Sequence, residues 1–294
     1  MPLPEFDYVA AKSMDEASDL MVSKGEKCVV MSGGTDVIVL LKDGALPGLE
    51  TVIDLKTIPG LDDLSWIEGK GLHIGSNTKL YAIQTSKLVN EKMPAVAEAA
   101  HDVASSQIRR KGTMVGNICN ASPSADTASI LLAMNATVEM YSRQGGKREV
   151  GIDDFWLGFR KIAPDKSKGE LVTGLMIPEL KSHEGSAYLK HAVRKAMDLA
   201  IIGVGAWIRM DGKKVEACRI AMGGVAVTTI RAKEAEKLLI GQEISEEILE
   251  KVGVQASQEC KPISDVRASA EYRTDMIRVY TKRAIKKALE TLKA

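Results

Sequence analysis

Between Cys28 and Leu41 the chain passes from a short run of β-formers, Cys28-Val29-Val30-Met31, through Ser32-Gly33-Gly34-Thr35-Asp36 into a second apolar stretch, Val37 to Leu41. That order reads as strand, tight loop, helix. Adjacent glycines let a phosphate come close, and successive N–H groups there can form a concave anion nest. The segment is therefore a candidate pyrophosphate cradle, although paired glycines before a helix are often a plain turn. It contains neither the G-x-G-x-x-G of a dinucleotide fold nor the Gly-Lys-Ser/Thr of a P-loop.

Around this loop the first half alternates helix and strand. Ser13-Met14-Asp15-Glu16 has capping-box spacing, and Met14, Ala17, Leu20 and Met21 form an apolar stripe, so a helix is predicted to about Lys24. Thr51 to Leu55 and Gly71 to Gly75 read as strands, with Thr78 placed to cap a following helix. Helical stretches near Met93–Val103 and Ala128–Met134 follow, then a hairpin from Ala136 turning at Gly145-Gly146. A strand over Leu171 to Ile177 ends at Pro178, the predicted domain boundary. Beyond it, strands either side of Asp211-Gly212 and helices at 232–240, 245–252 and from Tyr272 onward predict an antiparallel sheet backed by helices.

One segment fits no period. Ser105 to Asp126 is long, polar and glycine-punctuated, and a long loop inside a compact domain is more often functional than idle. Its small residues, hydroxyls and amides suit a wall around a flat polar ligand. Arg109-Arg110-Lys111 reads as a solvated turn, and Asp126 as either a helix cap or a ligand contact.

Bulk properties remove several function classes. Lys plus Arg number 40 against 39 Asp plus Glu, so no global field draws nucleic acid or an acidic membrane. Met1-Pro2-Leu3-Pro4-Glu5 opens without a basic region and apolar run, and no segment approaches about 20 uninterrupted apolar residues, so a cytoplasmic protein without a membrane span is expected. Cys28, Cys119, Cys218 and Cys260 lie far apart with no clustered histidines, which predicts small, mostly buried thiols and no metal or iron–sulfur site on this chain.

The chain resembles the FAD-binding subunits of the xanthine dehydrogenase and carbon monoxide dehydrogenase group of molybdenum hydroxylases. The resemblance rests on Ser32 to Asp36, Ile74-Gly75-Ser76-Asn77-Thr78, Gln107-Ile108-Arg109, Gly112 to Asn117 and Ala121 to Asp126. It continues through Arg194 to Ala200, Gly223-Gly224-Val225-Ala226 and Asp265 to Arg273, so it spans nearly the whole chain in family order. It implies an α+β architecture: a two-subdomain FAD-binding fold of the PCMH/vanillyl-alcohol-oxidase type over residues 1–178 (subdomains about 1–57 and 58–178), then an α+β domain over 179–294.

The resemblance also implies FAD on this chain, held by Val30, Met31, Ser32, Gly33, Gly34, Thr35, Asp36 and Val37 around the pyrophosphate. Thr78, Thr113, Gly116, Asn117 and Asp126 are implied as further contacts, with the Val172 backbone and Lys190 near the isoalloxazine ring. No residue of this chain is assigned acid–base chemistry. Molybdopterin is implied on a large partner subunit and [2Fe-2S] clusters on a small one, with NAD, a quinone or another carrier as external acceptor and a heterohexamer as the assembly. Some relatives have an aromatic residue near Leu199, where this chain is aliphatic. No histidine lies in a flavin-linking context, which implies dissociable FAD. The rival readings are a self-contained flavin oxidoreductase and a flavin-free scaffold subunit.

Overall fold

The computed structural model describes residues 3–293. Its first layer contains β1 (Asp7–Ala10), α1 (Met14–Lys24), β2 (Cys28–Met31), α2 (Val37–Lys42) and β3 (Thr51–Asp54). The three strands pair in parallel in the order β1-β3-β2. Because successive strand side chains point to opposite faces, Ile53 packs with Ala17, Met21 and Cys28, whereas Val52 packs with Met31, Leu41 and Leu49. Covering both faces explains why β3 is buried throughout and lacks alternation. The predicted capping box forms in its first half, Ser13 Oγ accepting from Glu16 N at 3.1 Å, whereas Glu16 Oε2 accepts from Lys12 N at 2.7 Å, one residue ahead of the N-cap, instead of from Ser13 N.

The second layer runs through β4 (Leu64–Ile67), β5 (Gly71–Gly75), α3 (Leu80–Thr85), α4 (Lys87–Lys92), α5 (Pro94–Asp102), α6 (Ser106–Arg109), α7 (Met114–Cys119) and α8 (Asp126–Ala133). It ends with β6 (Thr137–Ser142), β7 (Gly146–Gly151), β8 (Trp156–Gly158), β9 (Lys161–Ile162) and β10 (Leu171–Pro178). Five of these strands form an antiparallel sheet, β4-β5-β10-β6-β7. The predicted hairpin turns at Gly146, which takes the left-handed φ of +68° that suits glycine.

His73 on β5 sits between two carboxylates, with Nδ1 2.6 Å from Asp63 Oδ2 and Nε2 3.2 Å from Glu139 Oε2. Only an imidazolium donates to both. Glu139 and then Asp63 hold its pKa up at about 8, against the opposing effect of burial.

The third layer comprises β11 (Glu184–His191), β12 (Ile202–Asp211), β13 (Lys214–Gly223) and β14 (Ile230–Arg231), followed by α9 (Lys233–Leu239), α10 (Glu246–Gln258) and α11 (Ala270–Glu290). The antiparallel sheet keeps sequence order, and its Val204, Ala206 and Ile208 pack on Leu249, Val252, Ile277 and Ile285 of the helices. Its other face, through Tyr188, Trp207 and Ala221, joins the core of the second layer.

Helix α8 makes that junction, and all eight of its residues are buried. A Cβ on Gly205 would overlap the Ser129 carbonyl and sit 2.8 Å from Ile130 N, so only glycine lets α8 lie this close to β12. At its N-terminus Asp126 accepts from Lys190 Nζ of β11 and Tyr188 Oη, each at 3.0 Å.

The stabilisation from protonated His73 is full below its unfolded pKa of 6.5 and is lost as pH rises through about 8. Melting temperature should therefore fall more steeply between those values in the wild type than in His73→Gln, and parallel profiles would remove the imidazolium from the account. Lys190→Met leaves the Asp126 carboxylate buried without its cation, so urea unfolding should show a loss of about 3 kcal/mol, largely recovered by adding Asp126→Asn. An unchanged midpoint would show that the pair contributes nothing to the junction.

Candidate functional site

The Ser32–Asp36 loop leaves the C-terminal end of β2 and meets two segments distant in sequence. Ser32 Oγ lies 2.9 Å from Ser76 O and 2.6 Å from Asn77 Oδ1, and Asn77 Nδ2 donates to Leu55 O at 2.7 Å. On the other side, a Cβ on Gly33 would overlap the Lys111 carbonyl oxygen and lie 2.8 Å from Gly112 Cα. Asn120 Nδ2 donates to Asp36 Oδ1 at 3.0 Å, closing the far end. Met31 is buried beneath the loop, with its sulfur 2.9 Å from where a Gly34 Cβ would be. Val30 and Val37 are half-buried and pack into the two small cores of the parallel sheet.

Gly34 has φ +76°, and among the described residues none of the backbone N–H groups of Gly33, Gly34, Thr35 and Asp36 donates to protein. Free successive amides around a left-handed glycine are the donor set of an anion nest. The loop therefore fits the diphosphate of FAD in both backbone shape and donors.

Across from it, Thr113 is the N-cap of α7, its Oγ1 accepting from Gly116 N at 3.0 Å. Asn117 Oδ1 accepts from Thr127 Oγ1 at 2.7 Å, which ties α7 to the first turn of α8 beside Asp126. Burial pushes the Asp126 carboxyl up to about 6, while the adjacent Lys190 ammonium opposes the shift.

Lys190 lies on edge strand β11, yet its side chain is turned inward. Its ammonium donates to Asp102 O at 2.9 Å, Asp198 O at 2.8 Å and Asp126 at 3.0 Å, occupying all three N–H donors. The 192–200 loop is in turn held by Met197 N donating to Ala104 O at 3.2 Å and by Arg194 N to Asp198 Oδ2 at 3.1 Å. Arg194 and Asp198 also form a local ion pair, and Leu199 stands 47% exposed on the loop's outside.

The sequence-predicted residues fall into two linked groups. Residues 30–37 form the glycine loop and its flanks, with Thr113 following the Lys111–Gly112 segment that packs on it, while Asp126 and Lys190 form a buried pair at the start of α8, to which α7, carrying Gly116 and Asn117, is tied through Thr127. Val172 is half-buried on β10 beside an irregularity in register with β6, and the neighbouring Thr173 carbonyl accepts from Ser76 N at 2.9 Å.

Two local expectations change. Thr78 does not cap α3, whose N-cap is Lys79; its Oγ1 donates to Asp63 O at 2.7 Å and braces the β5 exit instead. Arg109 is no part of a solvated turn, because its guanidinium is buried and donates to Val103 O at 2.9 Å, at the C-terminal end of α5. Ser76, Asn77 and Tyr188 are structural partners of the site that residue reading did not single out. The Ile74–Thr78 motif contained the first two, but nothing in the sequence pairs Tyr188 with Asp126.

Known proteins extend this geometry. Residues 4–180 match the FAD binding domain in molybdopterin dehydrogenase, and residues 187–288 match the CO dehydrogenase flavoprotein C-terminal domain. The chain is 32% identical over 285 residues to the glyceraldehyde dehydrogenase medium chain of Sulfolobus acidocaldarius, covering 96% of this chain and 98% of that one. It is also 32% identical over 282 residues to the xanthine dehydrogenase FAD-binding subunit of Escherichia coli O157:H7, covering 96% and 95%. A solved carbon monoxide dehydrogenase from Hydrogenophaga pseudoflava superposes with a TM-score of 0.94 at 29% identity, over 99% of this chain and 100% of that one. The chain belongs to the family of FAD-binding medium subunits of the xanthine dehydrogenase and carbon monoxide dehydrogenase type, oxidoreductases of the molybdenum hydroxylase group.

Proposed function

We propose that this chain carries electrons between iron–sulfur clusters on a small partner subunit and an external acceptor such as NAD or a quinone. In this reading a large molybdopterin-binding subunit oxidises or reduces the organic substrate, and the parts assemble as a heterohexamer in the cytoplasm. The observation that carries the reading is the glycine loop, with four free amides, packed against the Lys111–Gly112 backbone that leads into α7. FAD suits this position because it accepts single electrons and passes on a pair as hydride.

The residues of the chain bind and orient. Gly33 and Gly34 bring the backbone against the diphosphate, and Val30, Met31, Ser32, Thr35, Asp36 and Val37 hold the loop in shape. Thr78, Thr113, Gly116 and Asn117 line the approach toward the flavin, with Val172 contributing backbone. Lys190 acts as half of the Asp126–Lys190 pair, which fixes charge close to Asn117 in a water-poor setting. Residues 1–178 form the proposed flavin-binding unit, divided at about 57, and residues 179–294 close it. Among the described residues, no helix is long and apolar enough to cross a membrane.

Two experiments test this assignment. Gly33→Ala should force the loop away from Lys111 and Gly112 and raise the FAD dissociation constant by about tenfold or more, near 1.4 kcal/mol, as read by flavin fluorescence. Unchanged affinity in a folded variant would refute the cradle. Anaerobic reduction by the organic substrate should bleach the flavin only when the large and small subunits are present. Turnover by the isolated chain would favour a self-contained oxidoreductase.

A further inference from the structure

Three lysines from three separate segments meet around the glycine loop. Lys56 follows β3 and is compensated, its ammonium lying 2.8 Å from Asp54 Oδ2 and 3.4 Å from Ser32 O. Lys111 supplies the carbonyl beneath Gly33, with its side chain exposed. Lys79 precedes α3 and forms a β-bridge with Thr113, while the next residue, Leu80, donates its N–H to Gly112 O at 3.0 Å. Lys79 is therefore fixed by its backbone to the segment that faces the loop.

Lys79 and Lys111 differ from Lys56 in one respect. Among the described residues neither forms an ion pair with a carboxylate within 4.0 Å. Lys79 is half-buried, and burial together with the Lys56 and Lys111 charges holds its ammonium pKa below the ordinary range, against opposing pulls from Asp54 and Asp62. With a formal charge of +1 on the whole chain, this crowding is a local feature and not a consequence of a basic protein. Like charges placed together beside free amides complement a ligand bearing more than one negative charge, and a diphosphate diester bears two.

Building on the flavin reading above, we propose that Lys79, supported by Lys111, is the cationic contact for the FAD diphosphate, supplementing the neutral amides of the glycine loop. The lysines would then make FAD affinity salt-dependent and discriminate against riboflavin, which lacks phosphate.

The test uses the full-length chain freed of flavin and titrated with FAD and with riboflavin at low and high potassium chloride. Lys79→Met, which keeps the stem and removes the charge, should weaken FAD about tenfold at low salt, flatten the salt dependence and leave riboflavin binding unchanged. Lys79→Arg should restore most of the affinity. Lys111→Met, at an exposed side chain, should show the same pattern with a smaller change and serves where Lys79→Met disturbs α3. Wild-type FAD affinity and salt slope in both Met variants would overturn the inference, as would equal weakening of FAD and riboflavin. A wild-type chain that takes up no FAD at any salt concentration would defeat the flavin reading itself, and this inference with it.

Discussion

The joint at α8 is the constraint on which the rest of the molecule depends. A helix buried along its full length can lie against β12 only because Gly205 presents no side chain to the Ser129–Ile130 backbone. That closeness brings the first turn of α8 within reach of β11, where Asp126 meets Lys190 and Tyr188. Dispersion and apolar burial hold the two surfaces together, but the buried pair sets their register, since an unpaired carboxylate there would be costly. The same turn binds Asn117 through Thr127, so the position of the second half is transmitted to the wall facing the glycine loop.

The site itself is assembled from exits of elements. The loop after β2, the loop after β5 and the irregular 105–125 segment each leave an ordered strand or helix and converge through a few side-chain hydrogen bonds. Ser32, Asn77 and Asn120 cross between them, and the Gly33 contact with Lys111 and Gly112 sets their spacing. Backbone amides left free by this packing are available to a ligand without reorganisation, which is the physical content of a preformed binding site.

Much of this was legible in residues. The Gly33-Gly34 loop between strand and helix, the end of β10 at Pro178 and the Asp211-Gly212 hairpin all rest on local backbone chemistry, which a sequence carries directly. The 105–126 segment was harder to read, because α6 and α7 span only one or two turns and such lengths show no period. Thr78 had the composition of a cap, but tertiary hydrogen bonding to Asp63 claimed its hydroxyl. Arg109 read as solvated because a run of three cations is usually exposed, and only the fold places the end of α5 against its guanidinium. The Lys79 cluster was invisible for a similar reason: its three members are separated by 23 and 32 positions and meet only through long-range pairing. Family resemblance, in contrast, identified the class because its motifs recur in order along almost the whole chain.

Purification of the tagged chain from its native cells, with an absorption spectrum and mass spectrometry of everything that accompanies it, decides whether the chain works as a flavin subunit of a larger enzyme. The account predicts releasable FAD in stoichiometric amount, together with a molybdopterin-binding large partner and an iron–sulfur small partner. A lone chain with stoichiometric FAD that turns over a substrate by itself would contradict it.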